Sequence, residues 1–570
     1  MTVTEQVVAD KPAIDPVTFE IIQNSLTAIS DEMFAVMRKT AMSAIIYEVL
    51  DMATGVCDAE GEIASSGAGI PAFVGVLDKT VKAILRKHGL SAIRPGDIFA
   101  TNDPFYGGVT HLNDIILAMP VFVEDRLVAW AADIAHWNDI GGMVPGGMSN
   151  EAREIFQEGI RLPAIRLFDE GRENVALMEV LSVNSRLPDY LRGDLWAGIA
   201  AVRLGERRLR ELALKYGVEN FLATMAALMD HGEKRTLAGL ADLRPGRYEM
   251  AEEQDDGAIW HVAVEVAPDR FTVDLREAPD EAKAPYNASR DGATIAAQLV
   301  LKAVTDPELP TNGGTFRPLS LLTRPGSIFD ASETAAYAFY CEVEIRLYDL
   351  LLRCLAQAMP ERFSAGHFSS ICGTVVGGPH PDTGRHYTIV EPEMGGWGAQ
   401  EGADGNDVLF SQFHGETYNC PAEVAEARYG LDVDYMTFNP EPGGEGRWRG
   451  GRGIRMAYRA RADSNFLTIG YSRARSLPWG IAGGRDGTAN YVDVIRTDGT
   501  TSRHALATNI RLDRGDIVRI TTGNGAGYGD PAERDRAAVA DDILRGFLTP
   551  ERAAEVYGYV AEDKAADPAD

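Results

Sequence analysis

The sequence is poor in cysteine. Its five cysteines, Cys57, Cys341, Cys354, Cys372 and Cys420, are odd in number, far apart and form no CxxC pair. That excludes a zinc ribbon or a disulfide-stapled scaffold and fits a reducing compartment. Positive charge is also scarce: 84 acidic residues face 55 basic ones, for a formal charge of -29. Nucleic acid and anionic membranes are gripped through Lys and Arg, so neither is an expected partner. Long hydrophobic runs are missing too. The stretch IILAMPVFV at 115–123 falls well short of the ~20 apolar residues of a membrane helix. The opening residues MTVTEQVVADKPAIDP show no apolar run and no cleavage-like site, so no secretory signal is expected and a cytoplasmic location is.

What remains is ordinary globular composition, 45% hydrophobic and 24% charged, in a chain too long for one core. The expected fold class is α+β and multidomain, with mixed sheets, a long N-terminal helix and a glycine-rich, β-rich C-terminal half. Residues 1–14 read as a loose tail. Asp15-Pro16 marks a helix start, and Ile22, Leu26, Ile29, Met33 and Val36 trace one buried face to about residue 41. A second helix is predicted over 77–88, and a helical region over 180–240. Strands alternate over 245–280, and apolar helices cover 290–306 and 342–359. The expected segments are an N-terminal metal-bearing α/β region at 15–240, a middle α+β region at 241–364, a glycine-rich β region at 365–530, C-terminal helices at 531–558 and an acidic tail at 559–570.

Polar chemistry is densest in NDPFYGGVTHLND at 102–114 and DIAHWNDIGGMVPGG at 133–147. Residues 115–123 and 127–135 are β-rich runs flanking a short polar turn, which predicts a hairpin. Antiparallel pairing about that turn sets Asp114 opposite His136. His111 and Asp114 are three apart, as are His136 and Asp139. Imidazole and carboxylate together suit Zn, Mn or Fe(II) and leave positions open for water or substrate. The bland alternative, loop hydrogen bonding by each His and Asp, stands beside the metal reading on spacing alone. Asn102 and Asp103 before Pro104 read equally well as turn formers. The glycine-rich stretch 395–407 lacks the GK[ST] of a Walker A loop, and GNGAGYGD at 523–530 lacks a βαβ setting. Both read as turns before phosphate cradles. His367, His380, His386 and His414 cluster in sequence and read as surface or core histidines before a second polar site. A cysteine nucleophile stays open, since its partners need only be near in space.

From residue 15 to 558 the chain resembles the hydantoinase B/oxoprolinase family. The resemblance rests on ordered blocks: LDMATGVCDAEGEI (50–63), NDPFYGGVTHLND, EIFQEGIRLP (154–163), GDLWAGIAAVRLGERRL (193–209), GGWGAQEGADG, PAEVAEARY (421–429), GGEGRWRGGRG (443–453), LPWGIAGG (477–484) and GNGAGYGDP (523–531). It implies a partner of the hydantoinase A type, an actin-like ATPase that uses ATP and Mg to phosphorylate the substrate's amide or carbonyl oxygen. It also implies one divalent metal (Zn, Mn or Fe) on this chain, with the family's ligands falling on Asp51, His111, Asp114 and His136. Asp139 then becomes an orienter of an imidazole or a loop hydrogen-bond acceptor. In hydrolytic members a metal-bound water opens the activated lactam, hydantoin or oxoproline ring. In ketone-carboxylating members an enol phosphate meets activated carbonate or CO2. The expected function is therefore the metal-bearing subunit of an ATP-dependent cyclic amidase in an α2β2-type hetero-oligomer. A subunit of a ketone carboxylase is the alternative, and a non-catalytic scaffold disagrees with the retained ligands. Two departures bear on the substrate. Phe73 stands where many members have His in IPVHLG, and YCEVEIR at 340–346 keeps Glu342 and Arg346 of an NxETSxR-like block while losing its Asn, Thr and Ser. If Phe73 and Tyr340 face the pocket, a more apolar ligand than a hydantoin is expected.

Overall fold

The first long helix begins where local chemistry dictates. Asp15 accepts the Thr18 N–H at 2.9 Å, Pro16 occupies the first turn, and α1 runs Pro16–Thr40 with Ile22, Leu26, Ile29, Met33, Phe34 and Met37 buried. In this computed structural model the described residues are 15–415 and 417–560. The expected tail at 1–14, and that at 559–570 apart from residues 559 and 560, lies outside them.

α1 packs on a seven-stranded antiparallel sheet made of β1 (Met52–Asp58), β2 (Ile63–Gly69), β3 (Ile98–Thr101), β4 (Asp114–Val123), β5 (Arg126–His136), β6 (Ile165–Asp169) and β7 (Arg172–Glu173), in the order β2-β1-β5-β4-β3-β6-β7. Helix α2 (Pro71–His88) covers the opposite face. It starts six residues before the expected 77, because Pro71 supplies a first-turn start that the apolar periodicity alone did not reveal. Helix α3 (Pro188–Tyr216) lies beside α1 over β4 and β5. The approach is close: a Cβ on Gly205 would sit 2.5 Å from Met33 Sδ and 2.7 Å from Ala131 Cβ. Glycine there lets helix, helix and sheet meet without a gap.

Helix α4 (Val218–Ala241) leads to a four-stranded sheet holding strands Gly246–Glu253, Ile259–Ala267, Arg270–Asp274 and Leu319–Leu322. Helices α5 (Arg290–Thr305) and α6 (Tyr340–Ala356) pack together, and α5 also lies on α2. Two further sheets, of four and five strands, fill residues 373–521. The expected C-terminal helices at 531–558 are Arg536–Leu544 and Pro550–Tyr557, separated at Gly546 in the left-handed region and at Pro550. The architecture is α+β with several sheets, as the sequence implies, and the parallel pairing of Arg270–Asp274 with Leu319–Leu322 makes one of them mixed. Among the described residues no helix is long and apolar enough to cross a membrane.

Candidate metal centre

Three neighbouring strands bring their ends together at one point. In the β4–β5 hairpin Asp114 pairs with His136, the register expected from the sequence. That register depends on a bulge. Near the two-residue turn Val123 pairs with Arg126 and Phe122 with Leu127, but Val121 pairs with Ala129, leaving Val128 without a partner. Were every residue, Val128 included, paired in step from the turn, Asp114 would face Ala135, on the other side of the pleat from His136. On the other flank Met52 pairs with Ala135, and the His136 N–H donates to the Asp51 carbonyl at 3.1 Å. Asp51, His136 and Asp114 thus form a row across β1, β5 and β4.

His111 joins from the loop before β4. The Asp114 N–H reaches the His111 carbonyl at 3.2 Å, closing a tight turn. Asn102 is more than a turn former: its amide donates to the carbonyls of Leu112 and Ile160 and accepts the Leu162 N–H. Gly108 lies against Asn102 so closely that a Cβ would come within 2.2 Å of the Asn102 carbonyl carbon. Next to it, Val109 is held at φ 64°, an unfavourable place for a β-branched residue. Such strain costs ~1–3 kcal/mol and persists where surrounding structure enforces it.

The side chains converge. His111 Nε2 lies 3.2 Å from both Asp114 Oδ1 and His136 Nδ1, and His136 Nδ1 lies 3.3 Å from Asp114 Oδ1. Asp51 Oδ2 stands slightly further out, 3.9 Å from His136 Nδ1. All three inner residues are buried, and Asp114 Oδ1 has no hydrogen bond. Donor atoms around one cation at bonds of ~2.1 Å sit about 3.0–3.4 Å apart, which is the spacing here. The charge balance fits a cation as well. Burial and the neighbouring Asp114 push the Asp51 carboxyl far above the usual carboxylate range. Burial would raise Asp114 too, but His111 and then His136 hold it well below. Burial works against charge on His111, yet Asp114 leaves its pKa raised, whereas burial leaves that of His136 lowered. A dication would let both carboxylates ionise.

Supporting contacts fix the set. His111 Nδ1 lies 2.9 Å from the Ala338 carbonyl, and the Tyr340 hydroxyl donates to Asp114 Oδ2 at 3.2 Å. Of the two roles expected for Asp139, its contacts are those of the loop hydrogen-bond acceptor and not of an imidazole orienter. Its carboxylate accepts N–H bonds from Gly141, Gly146 and Arg186 and pairs with the Arg186 guanidinium at 3.1 Å, so it shapes the 139–147 loop. The pocket over the site has a free volume of about 40 Å³ and is lined by Phe73, Met148, Tyr340, Ile371, Glu391 and His414, among others. Both departures from the family pattern that were expected to matter, Phe73 and Tyr340, therefore face it. Of the four clustered histidines only His414 lines this pocket, a residue that sequence spacing did not separate from its neighbours. His367 is instead buried, accepting the Gly398 N–H at 3.0 Å, and His386 is exposed. Glu342 accepts from Ser370, Ile371 and Ser472, with burial pushing its carboxyl up to about 7, while Arg346 joins a buried ion cluster with Glu252, Asp349 and Arg473.

The cysteine reading loses its support. All five thiols are buried, and burial raises the pKa of each, to about 12 for Cys354 and Cys420, so none is held as a thiolate. The glycine-rich stretches do more than turn the chain. They stack on one another: Gly396 N–H donates to Gly523, Gly451 to Trp397 and Gly525 to Gly451. A Cβ on Gly396 or Gly525 would strike a facing carbonyl at 2.1 Å.

The whole chain is similar to known proteins. The model of the family "Hydantoinase B/oxoprolinase" matches residues 15–531. An uncharacterised protein of Methanocaldococcus jannaschii is 31% identical over 536 residues, 93% of each chain. The B-type chain of a putative D-/L-hydantoinase from a Pseudomonas strain is 28% identical, covering 97% of this chain and 96% of its own. The beta chain of the caprolactamase of Pseudomonas jessenii is 29% identical, covering 96% and 97%. Among solved structures, the ATP-dependent caprolactamase of Pseudomonas jessenii superposes with a TM-score of 0.89 at 27% identity over 97% of both chains. An acetone carboxylase in a nucleotide-free state shares the fold, with a TM-score of 0.88 at 20% identity over 97% of this chain and 80% of its own.

Proposed function

This chain belongs to the hydantoinase B/oxoprolinase family, and from that premise we propose that it is the metal-bearing subunit of an ATP-dependent cyclic amidase. Its substrate would be a ring amide of lactam, hydantoin or 5-oxoproline type. The observation that carries the reading is the convergence of His111 Nε2, His136 Nδ1 and Asp114 Oδ1 within 3.3 Å of one another in a buried pocket, with Asp51 beside them. These four residues would hold one divalent ion, Zn, Mn or Fe, since imidazole and carboxylate suit all three.

An amide is a poor electrophile, and phosphorylating its oxygen makes that oxygen a leaving group. ATP chemistry is assigned to a hydantoinase A-type partner, in an assembly of α2β2 type, and relatives named as one subunit of a larger enzyme support a partnered chain. The ion would supply Lewis acidity toward a substrate or water oxygen. The chain's own residues do the rest. The Ala338 carbonyl keeps the His111 proton on Nδ1 and turns Nε2 into the site. The Tyr340 hydroxyl, which burial keeps protonated, engages one Asp114 oxygen and leaves the other free. Phe73, Ile371 and Val390 give the pocket apolar walls that limit water and select an apolar ring.

The test is turnover. With the partner, ATP and a panel of lactams, hydantoins and 5-oxoproline, the complex should open a ring without bicarbonate. A product formed only from a ketone, and only with bicarbonate, would overturn the amidase reading in favour of a ketone carboxylase role.

A further inference from the structure

The block EIFQEGIRLP supplies no ligand to the pocket, yet it carries a carboxyl that is only 1% exposed, that of Glu158. Its Oε1 accepts two consecutive backbone N–H bonds, from Tyr337 at 2.8 Å and Ala338 at 2.7 Å. The carbonyl of that same Ala338 receives His111 Nδ1 at 2.9 Å. A carbonyl only accepts, so this contact places the His111 proton on Nδ1 and leaves the Nε2 lone pair facing Asp114 and His136. The chain of contacts runs from Glu158 through one residue's backbone to the imidazole.

Glu158 is itself anchored. The Ile155 N–H donates to the Thr334 carbonyl at 3.1 Å, a second tie between the Glu158 turn and the segment before α6. The Glu158 carbonyl lies under Gly142, where a Cβ would approach it to 2.7 Å. Its Oε2 is buried with no hydrogen bond, so the side chain's hydrogen bonding is concentrated on the Tyr337 and Ala338 N–H groups. Burial also pushes that carboxyl up to about 8, so the neutral acid is its main form at pH 7, and glutamine copies that form.

We propose that Glu158 is a positioning residue of the metal site: by clamping the N–H groups of residues 337 and 338 it places the Ala338 carbonyl, and through it the tautomer and direction of His111. The inference rests on the reading of His111 as a ligand, and its test has a readout that does not.

The experiment uses the full chain stripped of metal. Nitrogen-15 NMR of labelled histidines reads the His111 tautomer, assigned with a His111 variant, and chelator competition reads affinity for Zn2+ and Mn2+ added alone. Glu158→Gln, which retains an acceptor oxygen, is expected to keep the Nδ1–H tautomer and near wild-type affinity. Glu158→Met, of similar size but without an acceptor, is expected to show mixed tautomers and about 10–100-fold weaker Zn2+ binding. Should Glu158→Met not fold, Glu158→Asp, which draws the carboxyl back by one methylene, should still loosen the tautomer and weaken binding about threefold or more. A folded Glu158→Met with wild-type tautomer and affinity would overturn the proposal, and so would a Glu158→Gln as impaired as Glu158→Met. A wild-type chain that binds neither ion would overturn the metal reading instead, while the tautomer in the metal-free protein still decides the role of Glu158.

Discussion

Tyr340 shows how a single hydroxyl bears on the site. It donates to Asp114 Oδ2, so that Asp114 presents one free oxygen, Oδ1, to the imidazoles. Burial raises the Tyr340 pKa far above the usual phenol range, so the hydroxyl remains a donor at every physiological pH. Tyr340→Phe removes the bond with little change of shape. It should leave the protein folded and weaken metal affinity about tenfold, as loss of a supporting contact to a ligand does. Competition against a chelator measures this, and affinity equal to wild type would remove Tyr340 from the supporting set. The sequence marks Tyr340 only as a departure from a family pattern. Its contact with Asp114 spans 226 positions and follows from how α6 docks, which no local pattern encodes.

At the level of elements, the hairpin was legible because its two apolar runs and short turn are local. The pairing of Asp114 with His136 follows from counting residues about that turn. The bulge at Val128 that makes the count hold is invisible to the count, since the register changes only between Val121 and Phe122. Deleting Met119, a paired residue of β4 beyond the bulge, should slide the start of β4 by one residue against β5, set Asp114 opposite Ala135 instead of His136 and abolish metal binding. Val128→Ala keeps the register and loses only buried methyl groups, costing ~2 kcal/mol with binding retained. Isothermal titration with Zn2+ and thermal unfolding of both variants separate the two effects. Metal binding that survives the deletion would contradict the role given to this register. Asp51 lies at the other limit of legibility. No spacing argument reaches it, and only the family resemblance indicates it, because it meets the hairpin through β1, some eighty residues upstream.

The molecule as a whole is held by contacts between distant segments. Residues of α1 share one hydrophobic core with strands beyond residue 450, and the three glycine-rich stretches pack backbone on backbone. Composition revealed their glycine, but not that glycine serves close approach between chain segments there. His367 sits against this stack, accepting the Gly398 N–H, and burial lowers its pKa to about 4. An imidazole depressed in the folded state gives stability that is present above its unfolded value of ~6.5 and lost as pH falls through 4, worth roughly 3 kcal/mol. His367→Asn should therefore lose less Tm than wild type between pH 6.5 and 4, and parallel Tm curves would sink that assignment.

The central claim is the divalent ion held by His111, Asp114 and His136 with Asp51 alongside. Elemental analysis of the purified full chain and of Asp114→Ala tests it most directly. The account predicts about one equivalent of Zn, Mn or Fe in the wild type and a variant that folds but has lost both the ion and the activity of the complex. A metal-free wild type that is fully active with its partner, or an Asp114→Ala chain with unchanged occupancy, would contradict it.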